Sequence, residues 1–193
     1  MRQTAAAPWD TFKARQTIAL DRCDFDWTAR TGPMGAVSVQ DALVDGVGHL
    51  RVRALGFITM VHVEPSAELI RGELMRYLAE LAWAPDAILL NVGLRWREDG
   101  PDRLVVGAGS GETAAEVTMN LDGEGRIAGG FAPDRGALVD GVTVPTPWRG
   151  VFSDYRLHDG IWLPFSGEVA WEMPQGTFTY WQGQIHTWQR VSA

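Results

Sequence analysis

One segment limits the folds open to this chain more than any other. Residues 66–85, SAELIRGELMRYLAELAWAP, form the single stretch with helical periodicity among segments that otherwise alternate or turn. Ile70, Leu74, Tyr77, Leu78 and Leu81 recur at three- and four-residue spacing and make one apolar stripe. Ser66 stands where an N-cap belongs, and Pro85 is expected to stop the helix at Trp83-Ala84. At about 100° per residue, Glu73 and Glu80 fall together at one border of the stripe, with Arg76 between them.

The rest reads as strands. Residues 24–30 place Phe25, Trp27 and Ala29 on one face and Asp24, Asp26, Thr28 and Arg30 on the other, the period of a half-buried strand. Segments 36–44 and 48–55 flank Asp45-Gly46, a hairpin signal, and 57–63 follows Gly56. Residues 11–20 fit a strand or a short helix equally well. After Pro85 the expected strands are 89–98, 103–108, 112–121, 126–132, 149–157, 161–173 and 177–191. Hairpin-sized connections make antiparallel pairing the default. The expected fold is mainly β with one long helix (α+β), a curved antiparallel sheet or half-barrel wrapped around that helix. Residues 1–10 read as a flexible arm and 11–193 as a single β-rich domain.

Composition narrows the function classes. With 193 residues and 46% hydrophobic content the chain can bury a core without staples, and one cysteine, Cys23, allows no internal disulfide. A formal charge of −7 speaks against a nucleic-acid partner, whose footprint would be a net basic domain. No apolar run is long enough for a membrane span. The N-terminal residues lack the apolar core of a secretory signal, so a cytoplasmic location is expected.

The helix motif RGELMRYLAELAWAP, the strand carrying Trp96, Pro147-Trp148-Arg149-Gly150, Asp154-Tyr155-Arg156, Gly167-Glu168-Val169-Ala170-Trp171 and Tyr180-Trp181-Gln182-Gly183 together resemble a bacterial family of unknown function. Its members carry an arginine-rich, glutamate-bearing helix ending in Trp-x-Pro. The family is similar in architecture to lipoprotein carriers of the LolA/LolB type, half-barrels that hold an apolar chain. This chain departs from that pattern at Asp86, which adds an acid after the proline.

Two functional readings follow. Nine tryptophans spread over most strands either fill the core or wall a cavity. In the first reading Trp83, Trp96, Trp148, Trp171 and Trp181, with Arg71, line a site for an apolar or amphiphilic small molecule. In the second the same cavity hosts cofactor-free carboxylate chemistry, either ester or lactone hydrolysis or proton abstraction with elimination or isomerisation. Glu80 would be the base, Glu73 or Asp86 the reserve acid, Arg76 or Arg71 the anion stabiliser, and Tyr155 or Tyr180 a proton donor. The bland alternative pairs Arg76 with Glu73 and Glu80 on an ordinary solvated helix face. No cofactor or metal is called for. The four histidines are scattered, the serines at 110 and 166 lie outside a nucleophile elbow, and the glycine-rich pieces open no helix.

Overall fold

The computed structural model describes residues 1–2, 4–55, 57–139 and 141–191. Gly56, read from sequence as the turn before a strand, lies outside the described residues, as do the last two residues of the domain assigned to 11–193.

Among the described residues twelve strands form two antiparallel sheets. The first holds β1 (Phe12–Ile18), β2 (Phe25–Thr31), β3 (Val37–Val44), β4 (Val47–Ala54) and β5 (Ile58–Val63) in chain order. The second runs, also in chain order, through β6 (Arg95–Glu98), β7 (Arg103–Ala108), β8 (Ala115–Leu121), β9 (Ile127–Val139), β10 (Val142–His158), β11 (Ile161–Met173) and β12 (Gly176–Gln184). Each strand pairs with its chain neighbour, as short connections demand. Asp45 and Gly46 take φ of 50° and 75°, the doubly left-handed turn that matches hairpin twist. The expected mainly β architecture with one long helix is therefore present, built as two sheets that do not close into a barrel.

Helix α1 (Ala67–Ala79) lies between the sheets, touching β3 and β4 on one side and β7, β8 and β9 on the other. Ser66 caps it, its hydroxyl accepting from the Leu69 amide at 3.1 Å. Its apolar stripe supplies Leu74, Met75, Tyr77 and Leu78 to a core shared with Phe25, Trp27, Val106, Val117 and Trp148. Tyr77 is pinned within that core. Its hydroxyl donates to the Ala19 carbonyl and accepts from the Asn91 amide, both at 3.1 Å.

Two sequence expectations need correction here. Pro85 does not return the chain to strand. After a 3-10 turn over Glu80–Trp83, a second short helix, α2 (Pro85–Leu90), begins at the proline itself. Proline suits a first helical position, where its missing N–H would have found no partner anyway. The expected strand 89–98 therefore shrinks to β6. Likewise β9 and β10 run well past 132 and begin before 149, through Pro133, Pro145 and Pro147. Their pairing shifts register between Thr146 and Trp148, the kind of irregularity at which strand prolines are tolerated.

β1 and β12, one from each sheet, meet through side chains. Phe12 lies 5.9 Å from the Trp181 ring and 6.1 Å from Trp27, and Trp83 lies 6.1 Å from Trp181. Among the described residues no backbone hydrogen bond joins the two strands. Among the described residues ahead of β1 there is no strand or helix, yet the Arg2 guanidinium donates to the Thr179 carbonyl of β12 at 2.8 Å.

Candidate functional site

The flank of α1 that carries its charges faces neither bulk water nor an open hollow. It is covered by both sheets. Glu73 is only 4% exposed. Arg76 reaches β3, where it donates to Asp41, and back along the helix, where its Nε donates to Glu80 Oε1 at 2.9 Å. Gln16 of β1 donates its amide to the other oxygen of Glu80. From the second sheet Arg135 of β9 approaches Glu73 at 3.9 Å and lies 4.6 Å above the Trp148 ring. The Trp148 indole N–H donates to the Tyr180 hydroxyl at 3.0 Å, and Trp171 stacks on Tyr180. Residues from β1, β3, β9, β10, β11 and β12 thus converge on one face of α1.

The charges in this cluster do not balance if every acid is ionised. Asp41, Glu73 and Glu80 supply three negative charges against two positive ones from Arg76 and Arg135. One proton on a carboxyl would restore neutrality. Asp41 Oδ1 and Glu73 Oε2 are buried without any N–H or O–H donor, while the two carboxyls lie within hydrogen-bonding reach of each other. Two carboxylates would repel; a carboxyl and a carboxylate bond. Burial pushes the Glu73 carboxyl well above its usual range, the Asp41 charge pushes it further, and Arg135 and Arg76 oppose without reversing the shift. Burial alone would lower the Arg76 pKa, but Glu80, Asp41 and Glu73 around it raise it, so it stays a cation. Burial also raises the Tyr180 phenol, against the pull of Arg135 and the Trp148 N–H.

Glu73, Arg76, Glu80, Tyr180, Trp148 and Trp171 are therefore brought together, as the sequence reading grouped them. Other candidates are not. Asp86 sits in the first turn of α2 and pairs with Arg190 at 2.7 Å. The Tyr155 hydroxyl donates to the Ile127 carbonyl at 2.6 Å, and its ring carries Arg126. Arg71 ties α1 to Asp134 and the Ala114 carbonyl, beside an open depression of about 290 Å³ lined also by Glu68, Glu112 and Gly136. Trp96 is on the edge strand β6 and 36% exposed. Trp83 and Trp181 fill the junction between the sheets as wedges. The Trp83 indole donates to the Pro164 carbonyl at 3.0 Å, and a Cβ built on Gly167 would lie 2.8 Å from its ring.

Sequence reasoning missed Asp41, Arg135 and Gln16. Asp41 left a signal: in β3 it shares a face with Val39 and Leu43, an acid on the inward side. Arg135 left none, because the segment holding it, Pro133-Asp134-Arg135-Gly136, reads as a turn. Cys23 is half-buried near the Asn91 amide, and burial raises its thiol pKa, which suits a packing role. Among the described residues no group of three or more His, Cys, Asp or Glu side chains could hold a metal ion. No helix is long and apolar enough to cross a membrane.

Fold and site together define a two-sheet β protein with a buried polar cluster under its one long helix. The chain belongs to a family of unknown function, DUF6544, whose model matches residues 1–183. No curated protein and no solved structure matches it.

Proposed function

We propose that the protein binds an apolar or amphiphilic small molecule in the seam between its two sheets. The apolar part would lie along Phe12, Trp83 and Trp181, and the polar head would meet the cluster around Arg76, Arg135 and Tyr180. The observation that carries this reading is the position of that cluster. Five ionisable side chains, none more than 16% exposed, lie among aromatic rings where the sheets touch through side chains alone. Burying such groups is unfavourable, and apolar residues of similar volume often serve stability as well or better. A fold that keeps them there departs from what packing alone favours, which is the mark of a functional site. The seam can part without breaking a strand ladder, so a ligand can enter at the expense of side-chain contacts only. The expected similarity to lipoprotein carriers points the same way, by analogy of architecture.

Trp83 and Trp181 serve as reporters. Titration with fatty acids and alkyl esters of graded chain length should give a saturable change in tryptophan emission that strengthens with chain length. A flat response across the whole series would refute the reading.

A second reading has one observation in its favour. Burial and the Asp41 charge favour the protonated form of Glu73, which sets an acid, a base and an anion stabiliser in one cluster with Asp41 and Arg76. Glu80 is the poorer base of the sequence-derived set, since Arg76 and Gln16 occupy its oxygens. Hydrolysis of activated esters that Glu73→Gln abolishes would turn the binding site into an active site.

A further inference from the structure

The face of the first sheet turned away from α1 carries a charge pattern unlike the rest of the molecule. Pairing aligns Lys13, Arg30, Ser38, Arg53 and Thr59 in one cross-strand row, and Arg15, Thr28, Gln40, Arg51 and His62 in the next but one. Lys13, Arg15, Arg30, Arg51 and Arg53 thus share one face, in a chain whose formal charge is −7. None of these cations forms an ion pair among the described residues. Arg30, Arg51 and Arg53, with Thr28 and Gln40, line a shallow depression of about 280 Å³.

The first of these rows lies one residue short of an apolar end of the sheet. There the chain turns from β2 to β3 through Pro33–Gly35 and from β4 to β5 through Leu55 and Phe57. The two turns are joined, since the Leu55 amide donates to the Ala36 carbonyl at 2.7 Å. Met34 is fully exposed, Phe57 is 77% exposed and Leu55 62%, and Ile58 and Met60 are also open to solvent. Contiguous exposed apolar side chains mark a surface that something covers.

We infer that this end of the sheet docks on an anionic lipid bilayer surface, Met34, Leu55, Phe57 and Ile58 entering the interface while Lys13, Arg30 and Arg53 meet the headgroups. Charge complementarity selects this occupant. Apolar tips flanked by a cationic row match the layering of a bilayer with acidic headgroups, where depth separates apolar from anionic. A second copy seated through the same end would oppose cation to cation. A nucleic acid would meet no aromatic platform in the basic rows, whose other members are Ser38, Thr59, Thr28, Gln40 and His62. The cationic rows lie on the opposite side of the sheet from the seam described above, and the inference stands without the ligand reading.

The full chain should float with phosphatidylcholine vesicles that contain phosphatidylserine and not with phosphatidylcholine alone, and high salt should release it. Each cation near such a surface contributes about fivefold in partitioning, so Arg30→Gln with Arg53→Gln should weaken binding about thirtyfold. Leu55→Ser with Phe57→Ser should weaken it by roughly tenfold or more. Arg30, Leu55 and Phe57 are exposed and Arg53 is half-buried, so thermal midpoints near wild type would show that folding is intact. The inference fails if serine-lipid vesicles do not retain the wild-type protein, or if neither pair alters retention. It fails equally if the protein sediments as a dimer that the Leu55/Phe57 pair dissolves while vesicles stay bare, or if the basic face holds DNA and not vesicles.

Discussion

Glu73→Gln tests the shared proton through stability. In the folded protein burial and the Asp41 charge hold the Glu73 pKa well above its ordinary value; in the unfolded chain it titrates near that ordinary value of 4.5. The folded pKa is raised, so its contribution is fully present below the unfolded value and is lost as pH rises toward the folded one. Each pH unit in that window removes about 1.4 kcal/mol. For a chain of this size that is roughly 3–5 °C of thermal midpoint per unit. Glutamine has the same shape, stays neutral and offers Asp41 an N–H where the carboxyl offered O–H. The variant should therefore match wild type near pH 4.5 and gain on it steadily as pH rises. Thermal unfolding of both proteins across pH 4.5 to 8 measures this difference, and titrating groups away from the cluster cancel between them. Parallel curves, or a variant that loses ground at high pH, would refute the assignment of the proton to Glu73.

The other structural predictions concern the same cluster and the wedges beside it. Arg76→Met leaves Asp41 and Glu80 buried without their cation and should cost about 3–5 kcal/mol in urea unfolding. Tyr180→Phe removes the acceptor of the Trp148 N–H and should cost about 1–3 kcal/mol, with a shift in tryptophan emission. Gly167→Ala drives a methyl against the Trp83 ring and should cost about 1–3 kcal/mol by the same unfolding assay.

What could be read from the chain divides by the range of the interaction. Local signals held: Ser66 as cap, the Ile70–Leu81 stripe, the alternation of Phe25, Trp27 and Ala29, and the Asp45-Gly46 turn all act within a few residues. The grouping of Glu73, Arg76 and Glu80 is local as well, being set by helical pitch. What surrounds them is not. Asp41 lies 35 residues from Arg76 along the chain, and Gln16 lies 64 from Glu80. Prolines misled in both directions. Pro85 does stop the first helix at Trp83-Ala84 but opens α2 where strand was expected, whereas Pro133, Pro145 and Pro147 lie inside strands that extend beyond the expected bounds. Aromatic content was an ambiguous signal because tryptophan serves packing and binding alike. Trp148 joins the polar cluster, Trp83 wedges the sheets apart, and Trp96 rides an exposed edge.

The central claim, that Glu73 and Asp41 share one buried proton beside Arg76, is open to direct observation by infrared spectroscopy. Near neutral pH the folded protein should show the C=O stretch of a protonated carboxyl, slow to shift in heavy water and missing from the Glu73→Gln variant. A wild-type spectrum with ionised carboxylates alone would mean that the cluster carries a net negative charge, and the account given for its two unpaired oxygens would fall.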